Sequence, residues 1–292
     1  MTPQVLCIGA LHWDNIAMAS EVPAPGADLP GRIVRRPGGV AFNVARALVG
    51  HGIPTSLLAA LGGDTDGEAL QTAAIEAGIG TQGLVRLPGK RTDAYLAIES
   101  PAGLLAAVAD TSTLEIAGPA LAAPLSNGRL SAPWPGMAVI DANLPRETLT
   151  AVIHSPGLAD VPLCLVPASP AKAPRFLPHI ARPRTTLYVN RAEAGALLGD
   201  PHVTAPDAAR RLREAGVETV VVTDGAAPVT DAAPEGTLSM APPVVSARQV
   251  TGAGDLFLAA HIASLIRGND RKTALKAALD AAARHVSGAA PT

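Results

Sequence analysis

The sequence predicts an α/β fold with a mostly parallel central sheet. Three observations carry this. Short apolar runs alternate with helical patterns along most of the chain. Glycines stand where helices should stop, as at Gly52 and Gly78. Hydrophobic residues make up 48% of the 292 residues and aromatics only 2%, so Ala, Val, Leu and Ile must build the core.

Residues 5–8, closed by Gly9, read as a buried strand. Residues 20–37 are polar and rich in Pro and Gly. Gly38-Gly39 then opens a helix with Val44, Ala45, Leu48 and Val49 on one face. Residues 55–61 are the next strand and 67–77 the next helix. The segment 92–116 breaks the alternation. Its runs 92–98 and 104–109 flank Pro101-Ala102-Gly103, which predicts a hairpin. Residues 117–136 carry no readable pattern. Strands follow at 137–140, 163–166, 186–189 and 217–222, with helices at 145–154, 170–181, 191–198 and 206–215. A closing helix pair, 253–267 and 272–287, is parted by Gly268-Asn269-Asp270.

The 23 Lys and Arg nearly balance 25 Asp and Glu, for a formal charge of −2, so no nucleic-acid partner is expected. No apolar run reaches the roughly 18 residues of a membrane span, so no membrane partner is expected either. The start Met1-Thr2-Pro3-Gln4 lacks the basic residues of a signal peptide, which predicts a cytoplasmic protein. Cys7 and Cys164 fit neither a disulfide framework nor a zinc site.

The strongest motif is Thr251-Gly252-Ala253-Gly254-Asp255 before the apolar run 256–260. Small residues at a helix start let backbone N–H groups approach an anion, and the helix dipole adds positive charge. An acid there repels phosphate, so Asp255 makes sense as a base that takes a proton from an attacking hydroxyl. An ordinary helix N-terminus would also hold Gly and Asp. Gly38-Gly39 with Asn43 one turn later could hold a sugar diol, or form a plain glycine turn. Asn190 and Glu193 could orient water around Mg²⁺ and phosphates, or form a capping box. Thr223 and Gly225 end a strand where open α/β sheets bind ligands, or make a turn. Asp14, after the first strand, could accept two sugar hydroxyls or sit in a turn.

In order, these pieces resemble the ribokinase/PfkB family of sugar and nucleoside kinases. The matching residues are Asp14, Gly38-Gly39 with Asn43, the run Gly62-Gly63-Asp64-Thr65-Asp66-Gly67, Asn190 to Glu193, and Gly252 to Asp255. The resemblance spans essentially the whole chain. It implies a ribokinase-like three-layer sandwich over 1–292 with a small β-sheet lid from about 14–37 and 92–112. It implies ATP and Mg²⁺ as cofactors and a ribosyl acceptor, with Asp255 as base and Gly252, Ala253 and Gly254 in an anion hole. Asp14, Gly38, Gly39 and Asn43 would hold the acceptor. Asn190, Glu193, Thr223 and Gly225 would serve the nucleotide, the first two reaching the metal through water. The resemblance also implies a homodimer through the lid.

Three stretches, 139–144, 168–173 and 190–194, look most like the pseudouridine-kinase branch. That adds Asn143, Lys172, Thr92 and Tyr95 as base-side contacts and makes the 5′-hydroxyl of pseudouridine the expected acceptor. A kinase for another sugar or nucleoside is the alternative within the class. A non-catalytic sugar- or nucleoside-binding module is the alternative outside it. A dinucleotide-dependent dehydrogenase is weakest, because Gly9-Ala10-Leu11-His12 lacks the glycine spacing. Two departures stand out. Gln249-Val250 replace the acidic stretch that holds a monovalent cation in relatives, which puts a K⁺ site in doubt. Ala226-Ala227-Pro228 lack a glycine common in the nucleotide loop.

Overall fold

The structure is a computed structural model that describes residues 4–22, 26, 28, 30–248 and 250–288. Its elements run β1 (Val5–Ile8), β2 (His12–Ala19), β3 (Gly31–Gly38), α1 (Val40–Gly50), β4 (Thr55–Leu58), β5 (Ala60–Gly62), α2 (Thr65–Glu76) and β6 (Val85–Leu87). Then come β7 (Ala94–Ser100), β8 (Gly103–Asp110), α3 (Ser112–Ile116), α4 (Gly118–Ala122), β9 (Met137–Asp141), α5 (Arg146–Ile153), β10 (Leu163–Val166), β11 (Thr185–Asn190) and α6 (Arg191–Leu198). The chain closes with α7 (Ala205–Glu214), β12 (Thr219–Asp224), β13 (Ala227–Ala233), β14 (Gly236–Met240), α8 (Ala253–Ile266) and α9 (Arg271–Ser287).

The eight-stranded central sheet has the order β14-β13-β12-β11-β10-β9-β1-β4. It is parallel from β4 to β12, and β13 and β14 add an antiparallel edge. Strand alternation splits its side chains between two cores. Leu6, Ile8, Ala138, Ile140, Leu187 and Val220 face one core, closed by residues of α5, α6 and α7. Val5, Cys7, Val139, Cys164, Tyr188 and Val221 face the other, closed by α1, α2, α8 and α9. Both cysteines are free and buried. This is the three-layer sandwich.

A separate four-stranded sheet, order β3-β2-β7-β8, forms the lid. β2 and β7 pair in parallel at its centre, with β3 and β8 antiparallel on the outside.

Several expected elements differ. The strand expected at 55–61 breaks at Ala59, where β5 leaves the main sheet to pair with β6. The helix expected over 170–181 shrinks to a 3-10 turn at Ala173–Phe176, because Pro170, Pro174 and Pro178 remove amide donors. The unreadable stretch 117–136 contains α4.

Candidate active site

Helix α1 brings the first site residues to the edge of the sheet. Phe42, Val44, Ala45 and Leu48 are buried in one core, each large apolar side chain contributing about 1.5–3 kcal/mol. That burial fixes the rotation of the helix and turns Asn43 outward. Gly39 precedes it at φ 100°, and a Cβ there would lie 2.3 Å from the Ala10 carbonyl. Only glycine lets the two chain segments approach so closely.

The start of α1 has no side-chain cap of its own. Asp141, at the end of β9, supplies one from across the sheet. Its Oδ2 accepts from the amides of Ala41 (3.0 Å) and Ala10 (2.9 Å), and its Oδ1 from Asn143 (2.9 Å). One buried carboxylate therefore ties β9 to the end of β1, the approach to the lid and the start of α1. Burial raises its pKa, and the three amide bonds oppose the rise. The motif reading passed over this residue. An acid at the end of an apolar parallel strand was the available signal.

Asn43 Nδ2 donates to Asp255 Oδ2 at 3.0 Å, joining residues 212 positions apart. Asp255 lies in the first turn of α8, whose N-cap is Gly252 at φ 89°. Burial pushes the Asp255 carboxyl up to about 7. The Asn43 bond opposes the rise, and the charges of Asp141, Asp14 and Glu193 add to it. Ala253 N–H is already spent on the Val250 carbonyl (3.1 Å). Among the described residues, the amides of Gly254 and Asp255 have no such acceptor and are free for an anion. His285 Nε2 lies 2.8 Å from the Thr251 carbonyl and braces this turn from α9.

Asp14 on β2 faces the same cleft from the lid. It contacts His12 Nδ1 at 3.2 Å and Arg36 Nε at 3.8 Å, and a Cβ on Gly38 would run into its carboxylate. The cleft has a volume of about 410 Å³, and Asp14, Asn43, Gly252 and Asp255 line it together. Tyr95 pairs in register with Asp14 across the β2–β7 seam, and burial raises its phenol pKa.

The remaining expected residues lie around this centre. Lys172 Nζ donates to Asn143 Oδ1 at 2.6 Å, and burial lowers the lysine's pKa. Asn143 is joined through its own amide to Asp141, so this pair backs onto the α1 cap. The Thr92 hydroxyl donates to Asp64 Oδ1 (2.5 Å) and accepts from Gly62 N–H (3.1 Å), so a ligand there would have to displace Asp64.

Asn190 and Glu193 form a complete capping box on α6. Glu193 N–H donates to Asn190 Oδ1 and Asn190 N–H to Glu193 Oε2, both at 2.9 Å. Burial raises the Glu193 pKa. The box leaves the amide NH₂ of exposed Asn190 available to a ligand, so capping and ligand contact are compatible. Thr223 is the next-to-last residue of β12, and Gly225 (φ 57°) makes the turn into β13. Gln249 lies outside the described residues. Among those residues no group of three or more His, Cys, Asp or Glu could hold a metal ion. Sequence reasoning also missed Arg36, Arg46, His51 and Arg284 as residues that line the cleft. Arg36 lies on β3, Arg46 and His51 on α1 and its C-cap, and Arg284 on α9, and spacing along the chain could not have joined these three parts.

A model of pfkB family carbohydrate kinases matches residues 2–290. The chain belongs to this family. The dehydrogenase alternative falls with that match. The uncharacterised sugar kinase YeiI of Escherichia coli K12 is 34% identical over 194 residues, which is 64% of this chain and 52% of that protein. The chain thus spans about half the length of that relative. The pseudouridine kinase of Escherichia coli K12 is 27% identical over 260 residues, covering 87% of this chain and 81% of that one. A structure of Arabidopsis thaliana ribokinase complexed with ribose and ATP superposes with a TM-score of 0.77 at 20% identity. It covers 98% of this chain and 93% of that one. The fold of this pfkB-family chain is therefore ribokinase-like, with its small sheet set apart from the large one.

Proposed function

We propose that the chain transfers the terminal phosphoryl group of ATP to a primary hydroxyl of a ribosyl compound, foremost the 5′-hydroxyl of pseudouridine. The observation that carries this is the Asp255–Asn43 hydrogen bond, set at a helix N-terminus with free amides and facing Asp14 across one cleft. Asp255 accepts the proton of the attacking hydroxyl. The amides of Gly254 and Asp255 receive the moving phosphoryl group, and the carbonyl-bound Ala253 amide contributes less than the motif implied. Asp14, Gly38, Gly39 and Asn43 hold the acceptor's hydroxyls. Asn190, Thr223 and Gly225 meet the nucleotide from the strand ends.

Mg²⁺ fits this donor set only indirectly, with Asn190 and Glu193 acting through water. When bound, it would neutralise charge on the nucleotide phosphates. The retained base and anion hole favour an enzyme over a binding module. ATP use and two free buried cysteines suit the cytoplasm.

The choice of pseudouridine rests on the distant pseudouridine kinase and on Lys172. Uridine shares the ribose, so discrimination must come from the base, whose C-glycosidic link leaves an extra ring N–H. A site that pairs with this group would be left unsatisfied by uridine. With ATP present, pseudouridine should be preferred over uridine in kcat/KM by about tenfold or more, the worth of one modest polar contact. Lys172→Ala frees Asn143 and should narrow that ratio more than it raises the KM for ATP. Equal rates on both nucleosides, or faster turnover of free ribose, would move the assignment to another sugar or nucleoside.

The lid exposes Ile33, Leu96, Leu104 and Val108, with Ile33 at 74% and Val108 at 65% relative exposure. On this apolar, unpaired sheet we place a second copy of the chain. Light scattering should give twice 29.4 kDa, and Val108→Lys on β8 should shift it to the single mass. A single-mass parent at micromolar concentration would refute the pairing.

A further inference from the structure

The cleft is lined by both acids and cations. Its acids, Asp14 and Asp255, sit where α1 and α8 begin. The same cleft is lined by Arg46 from α1, by His51 just past the end of that helix, and by Arg284 and His285 from α9. The acids are already engaged, Asp14 by His12 and Arg36, and Asp255 by Asn43. Arg46 packs over Phe42, 5.7 Å from the ring centroid. Neither Arg46 nor Arg284 has an ion pair or side-chain hydrogen bond among the described residues. Arg35, Arg191, Arg211 and Arg271, by contrast, each carry an acidic partner.

The concentration of cations here is not a by-product of a basic chain, since the formal charge is −2. Like charges facing one cleft repel, and an anion between them would relieve this. His51 reports the same field: burial lowers its pKa, and Arg267 and Arg284 lower it further. Arg46 stands three residues past Asn43 on α1, about 4.5 Å along the axis, and points from an adjoining position on the same helical face.

We propose that Arg46 and Arg284 form an anion subsite that takes a phosphate group, carried in as free inorganic phosphate or on a phosphorylated acceptor. The two guanidinium groups come from different helices, α1 and α9, and each offers paired N–H donors to phosphate oxygens. The subsite is distinct from the helix N-terminus at Gly254. It is also distinct from the nucleotide side, because Asn190, Thr223 and Gly225 do not line this cleft.

Binding can be read without turnover, so the test does not depend on the phosphotransfer reading. Isothermal titration of the full chain, without nucleotide, would use inorganic phosphate, ribose 5-phosphate and ribose in turn. Both arginines are exposed, so the double variant Arg46→Ala/Arg284→Ala should fold, and its melting temperature checks this. Inorganic phosphate is expected to bind the parent and to bind the double variant at least about tenfold more weakly, while ribose affinity is unchanged. If ribose 5-phosphate binds the parent about tenfold more tightly than either phosphate or ribose, and loses that gain in the variant, the group rides on the acceptor. If it gains nothing over phosphate, the site takes the free ion.

No phosphate binding by the parent, or equal binding by the double variant, would overturn the proposal. So would phosphate binding that survives in the double variant and is lost in Gly254→Val, which would assign it to the N-terminus of α8. An equal loss of ATP affinity in the double variant would place the arginines on the donor and overturn it as well.

Discussion

Asp255→Asn is expected to lower kcat by about two to four orders of magnitude, the usual worth of a general base, while acceptor affinity changes little. The amide keeps the shape of the carboxylate but cannot accept the proton, and the contact to Asn43 Nδ2 can persist through the remaining oxygen. The substitution should not unfold the protein. A carboxyl whose folded pKa is raised costs stability as pH climbs from its unfolded value towards about 7, and an asparagine has no such cost. At pH 8 the variant should therefore melt no lower than the parent. The same shift sets the pH profile of the parent. The base works only when ionised, so kcat/KM should rise with pH and reach half its plateau near the Asp255 value of about 7. An active Asp255→Asn enzyme, or a flat profile between pH 5 and 9, would remove Asp255 from the chemistry.

How much of this was legible depended on whether one residue's surroundings lie close by in sequence. β1, α1, β9, α8 and α9 were readable because burial on both faces, or on one helical face, writes a period into the chain. β8 was found through its turn, since all eight of its residues are exposed and its apolar side chains show no inward face. β13 and β14 escaped notice because their strands carry Pro228, Asp231 and Pro234 nearby, residues that usually mark loops. Asp231 is in fact buried against Arg271, a pairing that only the fold supplies.

The end of the site proposed to be catalytic was visible because its residues cluster in short motifs. Its supports were not. Asp141 caps a helix 100 residues away, and His285 braces Thr251 from the last helix. Such contacts leave one ordinary residue at each end and no pattern between. The Asn190–Glu193 motif is the opposite case, where one local signal served two readings and the structure shows the capping bonds that make them compatible.

Gly254→Val carries the second large effect, and the geometry makes it a clean substitution. A Cβ built on Gly254 meets nothing within 4 Å, and its φ lies outside the left-handed range. Gly252, at φ 89°, could not be changed without backbone strain. Valine in the first turn of α8 should therefore cost no more than about 1 kcal/mol of stability, the spread of ordinary helix propensities. Its methyl groups would project into the open space in front of the free Gly254 and Asp255 amides. A phosphoryl group received there would be displaced from the donors that must stabilise its charge. Loss of one such donor contact already costs about two to three orders of magnitude in kcat, and a steric block removes the pair. Phosphoryl transfer should fall by at least that much, while titration with the acceptor alone gives an unchanged affinity, because Asp14, Gly39 and Asn43 are untouched. The split between lost turnover and retained acceptor binding separates an anion hole at α8 from a general packing role. Transfer at the parent rate in a folded Gly254→Val protein would mean that the phosphoryl group is received elsewhere in the cleft.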